Sequence, residues 1–83
     1  MNVDIQVKFN DIDHIIKILK KHVNWENSLS RIIEFNNLVE EQNFWDDTNK
    51  AQSIMKEKKQ LEKIIDQIKY VEIEKDNLFE LIQ

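Results

Sequence analysis

Not one of the 83 residues is Gly or Pro. A chain without Gly lacks the residue that takes positive φ at no steric cost, and one without Pro lacks the residue that presets φ. Two-residue β-hairpins draw heavily on such turn residues, so an all-β fold built on tight turns is excluded. What remains is rich in Ile, Leu, Lys, Glu, Gln and Asn, with only 8% aromatics. That composition predicts helices joined by short loops. The missing glycines also rule out a Gly-rich phosphate-cradling loop and a Gly-framed nucleophile elbow.

A chain this short is one small domain or a piece of a larger one, and its core is marginal unless very well packed or completed by something else. It has no Cys, so neither disulfides nor thiolate metal ligation enter, and nothing argues for an oxidising compartment. No apolar run approaches the ~20 residues needed to span a bilayer. The N-terminus has no basic segment leading into an apolar one, so no signal peptide is read there. No membrane association is expected, and the expected location is the cytoplasm. The net charge of −4 supplies no general attraction to nucleic acid.

Between Val3 and Phe9 two periods compete. Val3, Ile5, Val7 and Phe9 alternate as an edge strand would, while Ile5, Phe9, Ile12, Ile16, Leu19 and Val23 follow helical spacing. The helical pattern covers more residues and needs no partner strand, so it predicts a helix over about 3–22. Within it, Asp13 and Lys17 form a favourable i,i+4 pair worth ~0.3 kcal/mol. A break is expected at Val23-Asn24-Trp25, with Asn24 as N-cap of a second helix over 25–41. Leu29, Ile32, Ile33, Leu38 and Val39 mark that helix, with Phe35 partly in line. Asn43 is placed to take the left-handed position that Gly usually fills after a helix.

After the adjacent aromatics Phe44 and Trp45, Asp47 can cap a third helix over 47–82, and Asp46 can pair with Lys50. Ala51, Ile54, Leu61, Ile65, Ile68, Phe79 and Ile82 fall on the a and d positions of a heptad pattern, while Lys58, Glu72 and Lys75 interrupt it. The seam is too broken for a dedicated coiled coil but suits the long arm of a bundle. At 1.5 Å per residue this helix would run about 50 Å, so its far end is expected to lack cover within the chain. Trp25 and Trp45 each sit at a helix start and are expected to plug the end of the bundle, Trp45 more securely, rather than to serve as partner hot spots.

No catalytic, cofactor-binding or metal-binding residue is assigned. His14 and His22 lie more than two turns apart on one helix, about 12 Å, with no Cys or carboxylate pair at zinc-ligand spacing. Ser28, Ser30 and Ser53 have no nucleophile signature around them. Lys56, Lys58, Lys59 and Lys63 could meet RNA phosphates, but Glu57, Glu62 and Asp66 interleave with them, as on a solvated helix face.

Phe44-Trp45-Asp46-Asp47, Ala51-Gln52, Lys56-Glu57 and Leu61-Glu62 resemble the N-terminal domain of bacterial peptide chain release factor 2. His22-Val23-Asn24-Trp25-Glu26 resembles a His-Leu-Asp-Trp-Asp segment of alphaproteobacterial members. Arg31-Ile32 with Glu34 and Asn36, and Glu80-Leu81-Ile82, extend the likeness across nearly the whole chain without insertion or deletion. Gln42 and Thr48 stand near places where members often have proline. Val23-Asn24 replaces a Leu-Asp pair at which some members frameshift. The Ser-Pro-Phe tripeptide that reads UGA and UAA, and the Gly-Gly-Gln that triggers ester hydrolysis, cannot occur in a chain without Gly or Pro. By resemblance, a fourth helix that would fold back along the third is also missing.

The expected fold is all-α, an antiparallel three-helix bundle with a long third helix, with Ile16, Leu19, Ile33, Leu38, Ile54, Leu61 and Ile65 in the core. The resemblance implies the N-terminal part of a longer release factor, acting in translation termination at UGA and UAA. It would dock on the ribosome at the base of the large-subunit stalk, near where the class II release-factor GTPase acts, without being an enzyme and without cofactors. No ribosome-contacting residue is assigned, because the matching positions are expected to be structural. Self-association through the uncovered third helix, or fraying of its end, is expected. The alternative is a free-standing helical adaptor or dimerisation module unrelated to translation.

Overall fold

The first helix begins where a side chain can take up one of its unpaired amides. In the computed structural model, which describes residues 2–83, Asn2 accepts a hydrogen bond from the Ile5 amide at 2.9 Å. From there α1 runs Val3–His22, and the competing strand pattern is absorbed into it. Asp4 lies in its first turn and Lys20, Lys21 and His22 in its last, as the helix dipole favours. Two further helices follow, α2 Trp25–Val39 and α3 Thr48–Ile82, with a single 3-10 turn at Phe44–Asp46 between them. The described residues contain no strand.

The α1–α2 break falls where expected but works differently. Asn24 sits at φ 54°, ψ 67°, in the left-handed region, and its side chain caps nothing. It is the residue just past the end of α1, the place glycine usually takes. Its carbonyl accepts the first bond of α2, from the Ser28 amide at 2.9 Å, while Ser28 Oγ donates to the Val23 carbonyl at 2.8 Å. Asn43, expected to be left-handed, is not, at φ −97°, ψ 6°. The left-handed turn was needed where two helices meet with no loop, not in the looser connection after α2. Asp47 caps α3 through a bond from the Lys50 amide at 3.1 Å.

The helices form an antiparallel arrangement in two layers. Phe9 meets Phe79 edge-on with ring centroids 5.2 Å apart. Asp13 pairs with Lys75, Lys20 with Glu72 and Arg31 with Glu57. Each step forward along α1 and then α2 is matched by a step back along α3, so the two shorter helices lie in series against the long one. Their 20 and 15 residues equal the 35 of α3, about 52 Å of helix on either side. The molecule is accordingly a slab of 59 × 22 × 15 Å. The far end of α3, expected to lack cover, is therefore covered on one side by the start of α1.

The core follows the side of each helix that faces this seam. Phe9, Ile16, Phe35, Ala51, Ile65 and Ile68 are buried. Of the expected core residues, Ile16 and Ile65 are among them, and Leu38, Ile54 and Leu61 are half-buried. Leu19 and Ile33 are corrections, at 40% and 61% exposed. On α2 the inward line is Trp25, Ser28, Ile32, Phe35 and Val39, spaced by threes and fours. Ile33 lies one residue beyond that line and turns about 100° away from it. Phe35, placed only partly in line by the sequence, is fully enclosed.

Trp45 is a second correction: it is 58% exposed. Consecutive residues of a 3-10 turn point about 120° apart, so only one of two adjacent aromatics can face the helices. Phe44 is the half-buried one, and Trp45 stands against it edge-on at 4.8 Å on the solvent side. Trp25 is the more enclosed tryptophan.

Phe35→Ala should destabilise the chain by about 3–5 kcal/mol, while Ile33→Ala should change stability by less than about 0.5 kcal/mol. Urea unfolding followed by circular dichroism checks both, and comparable losses would mean that α2 is rotated from this placement.

Candidate functional site

Two of the three residues that interrupt the apolar seam of α3, Glu72 and Lys75, are the ones that bind it to α1. Glu72 receives two bonds from Lys20 Nζ, at 2.9 and 3.3 Å. Lys75 Nζ donates to Asp13 at 2.5 Å and lies 2.8 Å from Asp76. Lys58 turns toward Glu62, its i+4 neighbour, at 3.5 Å. Asp13, expected to pair with Lys17 along α1, reaches across the layer instead, and the expected Asp46–Lys50 pair is absent among the described residues. Lys20 also lies over the Trp25 ring at 4.7 Å, so one α1 ammonium touches a side chain on each of the other two helices.

These pairs set the register of the two layers. Sliding α1 by one heptad would put Asp13 against Ile68 or Ile82, leaving a half-buried carboxylate on an apolar neighbour. The hydrogen bond from Lys75 to Asp13, and then that to Asp76, holds the Lys75 ammonium above its usual pKa of 10.5.

The sequence candidates do not converge. His14 and His22 are both exposed on α1, and the described residues contain no group of three or more His, Cys, Asp or Glu placed to hold a metal. Ser30 and Ser53 are exposed, and Ser28 is buried with its hydroxyl committed to Val23. Lys56, Lys59 and Lys63 are exposed beside Glu62 and Asp66.

What the structure does present is open apolar surface. Being two helices thick, the slab buries only one side of each helix. Ile64, Val71 and Leu78 recur every seventh residue on one face of α3, and Leu19 and Ile12 flank them on α1. Two depressions lie along this line, one among Ile16, Leu19, Val23, Ile64, Gln67, Ile68 and Val71, the other among Ile5, Lys8, Phe9, Ile12, Leu78 and Ile82. Contiguous apolar surface of this kind marks a place for another protein segment. Sequence reading foresaw uncovered surface on α3 but put it at the helix end, because it could not tell that α1 and α2 lie in series.

Three relatives align with the whole chain. Peptide chain release factor 2 of Paramagnetospirillum magneticum is 35% identical over all 83 residues. That of Ruegeria sp. is 34% identical and that of Neorickettsia sennetsu 29%, again over 83 residues. Along its whole length, the chain is similar to peptide chain release factor 2. It spans 22–23% of the length of these relatives. The likeness carried by Phe44 to Glu62 thus extends from end to end. No protein-family model matches the chain, and no solved structure matches it. Among the described residues no helix is long and apolar enough to cross a membrane.

The Lys75 contacts generate a pH test. A folded-state pKa above the unfolded one gives stability that is fully present below pH 10.5 and lost as pH rises through the folded value. The stability difference between the wild type and Lys75→Met should therefore stay constant from neutral pH up to 10.5 and move against the wild type above it. Urea midpoints measured across that range check the trend, and a parallel course of the two proteins at high pH would contradict it.

Proposed function

We propose that this chain is a docking segment of a peptide chain release factor, the N-terminal part of a protein that acts in translation termination. The observation that carries the reading is full-length alignment with release factor 2 relatives at up to 35% identity. The fold is consistent with it, since a thin helical slab with one open apolar flank is built to present surfaces. The chain would work in the cytoplasm and have no catalysis of its own. Its partner would be the ribosome, at the base of the large-subunit stalk, with the class II release-factor GTPase as a second partner nearby. Stop-codon reading at UGA and UAA and ester hydrolysis would belong to other parts of such a factor.

The division of labour is tested on ribosomes stalled at a stop codon. The isolated 83-residue chain should release no peptide, while a full-length relative does. Adding the isolated chain in excess should slow release by that relative through competition for the docking site. Stop-codon-dependent release by the 83 residues alone would overturn the proposal, and so would excess chain with no effect on the rate.

The open flank of α1 and α3 favours a second reading, a free-standing adaptor or dimerisation module. Reading the gene past the Gln83 codon separates the two, because a downstream frame encoding Gly-Gly-Gln belongs only to the first. Under either reading the isolated chain leaves Leu19, Ile64, Val71 and Leu78 uncovered, and a second copy can cover them by placing its own aliphatic flank there. The mass measured by sedimentation should rise with concentration, and Val71→Lys should hold the chain monomeric. A concentration-independent monomer would exclude this mode of association.

A further inference from the structure

Where α2 turns into α3, a largely exposed aromatic side chain sits in a segment whose charges are all of one sign. Trp45 is 58% exposed and is braced edge-on by the half-buried Phe44. The turn that holds it is fixed by bonds from the Phe44 amide to the Glu41 carbonyl at 3.1 Å and from the Asp46 amide to the Asn43 carbonyl at 3.2 Å. Glu40, Glu41, Asp46 and Asp47 lie within five residues of it along the chain, all exposed, and none joins an ion pair among the described residues. From 40 to 47 there is no cation. Removing these four acids from the chain's 16 leaves 12, which balances its 12 Lys and Arg. The segment 40–47 thus carries four acids and no base, a local charge of −4 equal to the net charge of the whole chain.

We propose that Trp45 is the anchor of a protein-docking tip whose partner presents an apolar pocket rimmed by Lys and Arg. Tryptophan is among the residues most enriched as interface anchors, where a partner fully desolvates it. A rim of one sign steers and selects an oppositely charged partner. The same charge excludes the other occupants. A second copy would bring eight carboxylates together, and nucleic acid or an anionic membrane would bring phosphates against them. This surface is distinct from the apolar flank of α1 and α3. The proposal rests on the tip alone and stands whether or not the chain serves in translation.

The probe is a synthetic amphipathic peptide of Leu and Lys, compared with a Leu–Glu peptide, a Lys-only peptide, polyuridylic acid and phosphatidylserine vesicles. With Trp25→Phe as background, Trp45 is the only indole, and its emission should move to the blue when the Leu–Lys peptide binds. Fluorine NMR of the fluorotryptophan-labelled wild-type chain reports the same event should Trp25→Phe fail to fold. Trp45→Ala should weaken binding about thirtyfold, the scale of an interface anchor. Neutralising Glu40, Glu41 and Asp46 together should weaken it roughly tenfold at low salt and little at high salt. Equal binding by Trp45→Ala would place the peptide elsewhere and overturn the proposal. So would equal binding by the Leu–Glu peptide, the Lys-only peptide, RNA or vesicles.

Discussion

A single left-handed residue makes the architecture possible. Two helices meeting end to end need a sharp break, and this chain has no glycine with which to make one. Asn24 takes the conformation instead, the only positive φ among the described non-glycine residues. For most L-residues that conformation costs roughly 1–2 kcal/mol, and Asn tolerates it best because its short polar side chain can bond locally. The hydrogen bond from Ser28 to the Val23 carbonyl offsets about 1 kcal/mol of such a cost. Because the break takes only Val23 and Asn24, α1 and α2 follow each other along the same long helix, and α3 can serve both. A longer loop would have let α1 fold against α2 and thicken the core.

Polar positions in an apolar seam normally weaken it, yet here they are what joins the layers. Glu72 and Lys75 sit where a heptad calls for aliphatic side chains, and α1 supplies Lys20 and Asp13 opposite them. A half-exposed ion pair adds little net stability. Its value here is discrimination, because in an aliphatic seam many registers pack almost equally well. Charges at two heights, with opposite order on the two helices, allow only one.

The helices were legible because each carries a long periodic pattern and because the missing turn residues left few other folds. Asp47 was legible as a cap because its oxygen acts locally. Long-range placement was not. The inward line of α2 passes through Ser28, a polar residue that hydrophobic counting skips, so Ile33 was taken for core and Phe35 undervalued. Asp13 offered an ordinary partner at Lys17, and only the fold brings Lys75 closer. For Trp45 the sequence shows two adjacent aromatics without saying which one a 3-10 turn will face inward. The likeness to release factor 2 was readable from the motifs, but it identifies relatives and not surfaces, and the exposed tip was missed for that reason.

The pairing of distant segments has a consequence for how the molecule comes together. The last turns of α2 and the first of α3 are separated by a short connection, so they can close as a local hairpin at small entropic expense. Contacts near the other end join residues as remote as Phe9 and Phe79, whose closure must wait until the intervening register is set. Assembly should proceed like a zipper drawn from the acidic tip toward the two chain ends. The teeth fastened last, between the start of α1 and the end of α3, should also be the first to part.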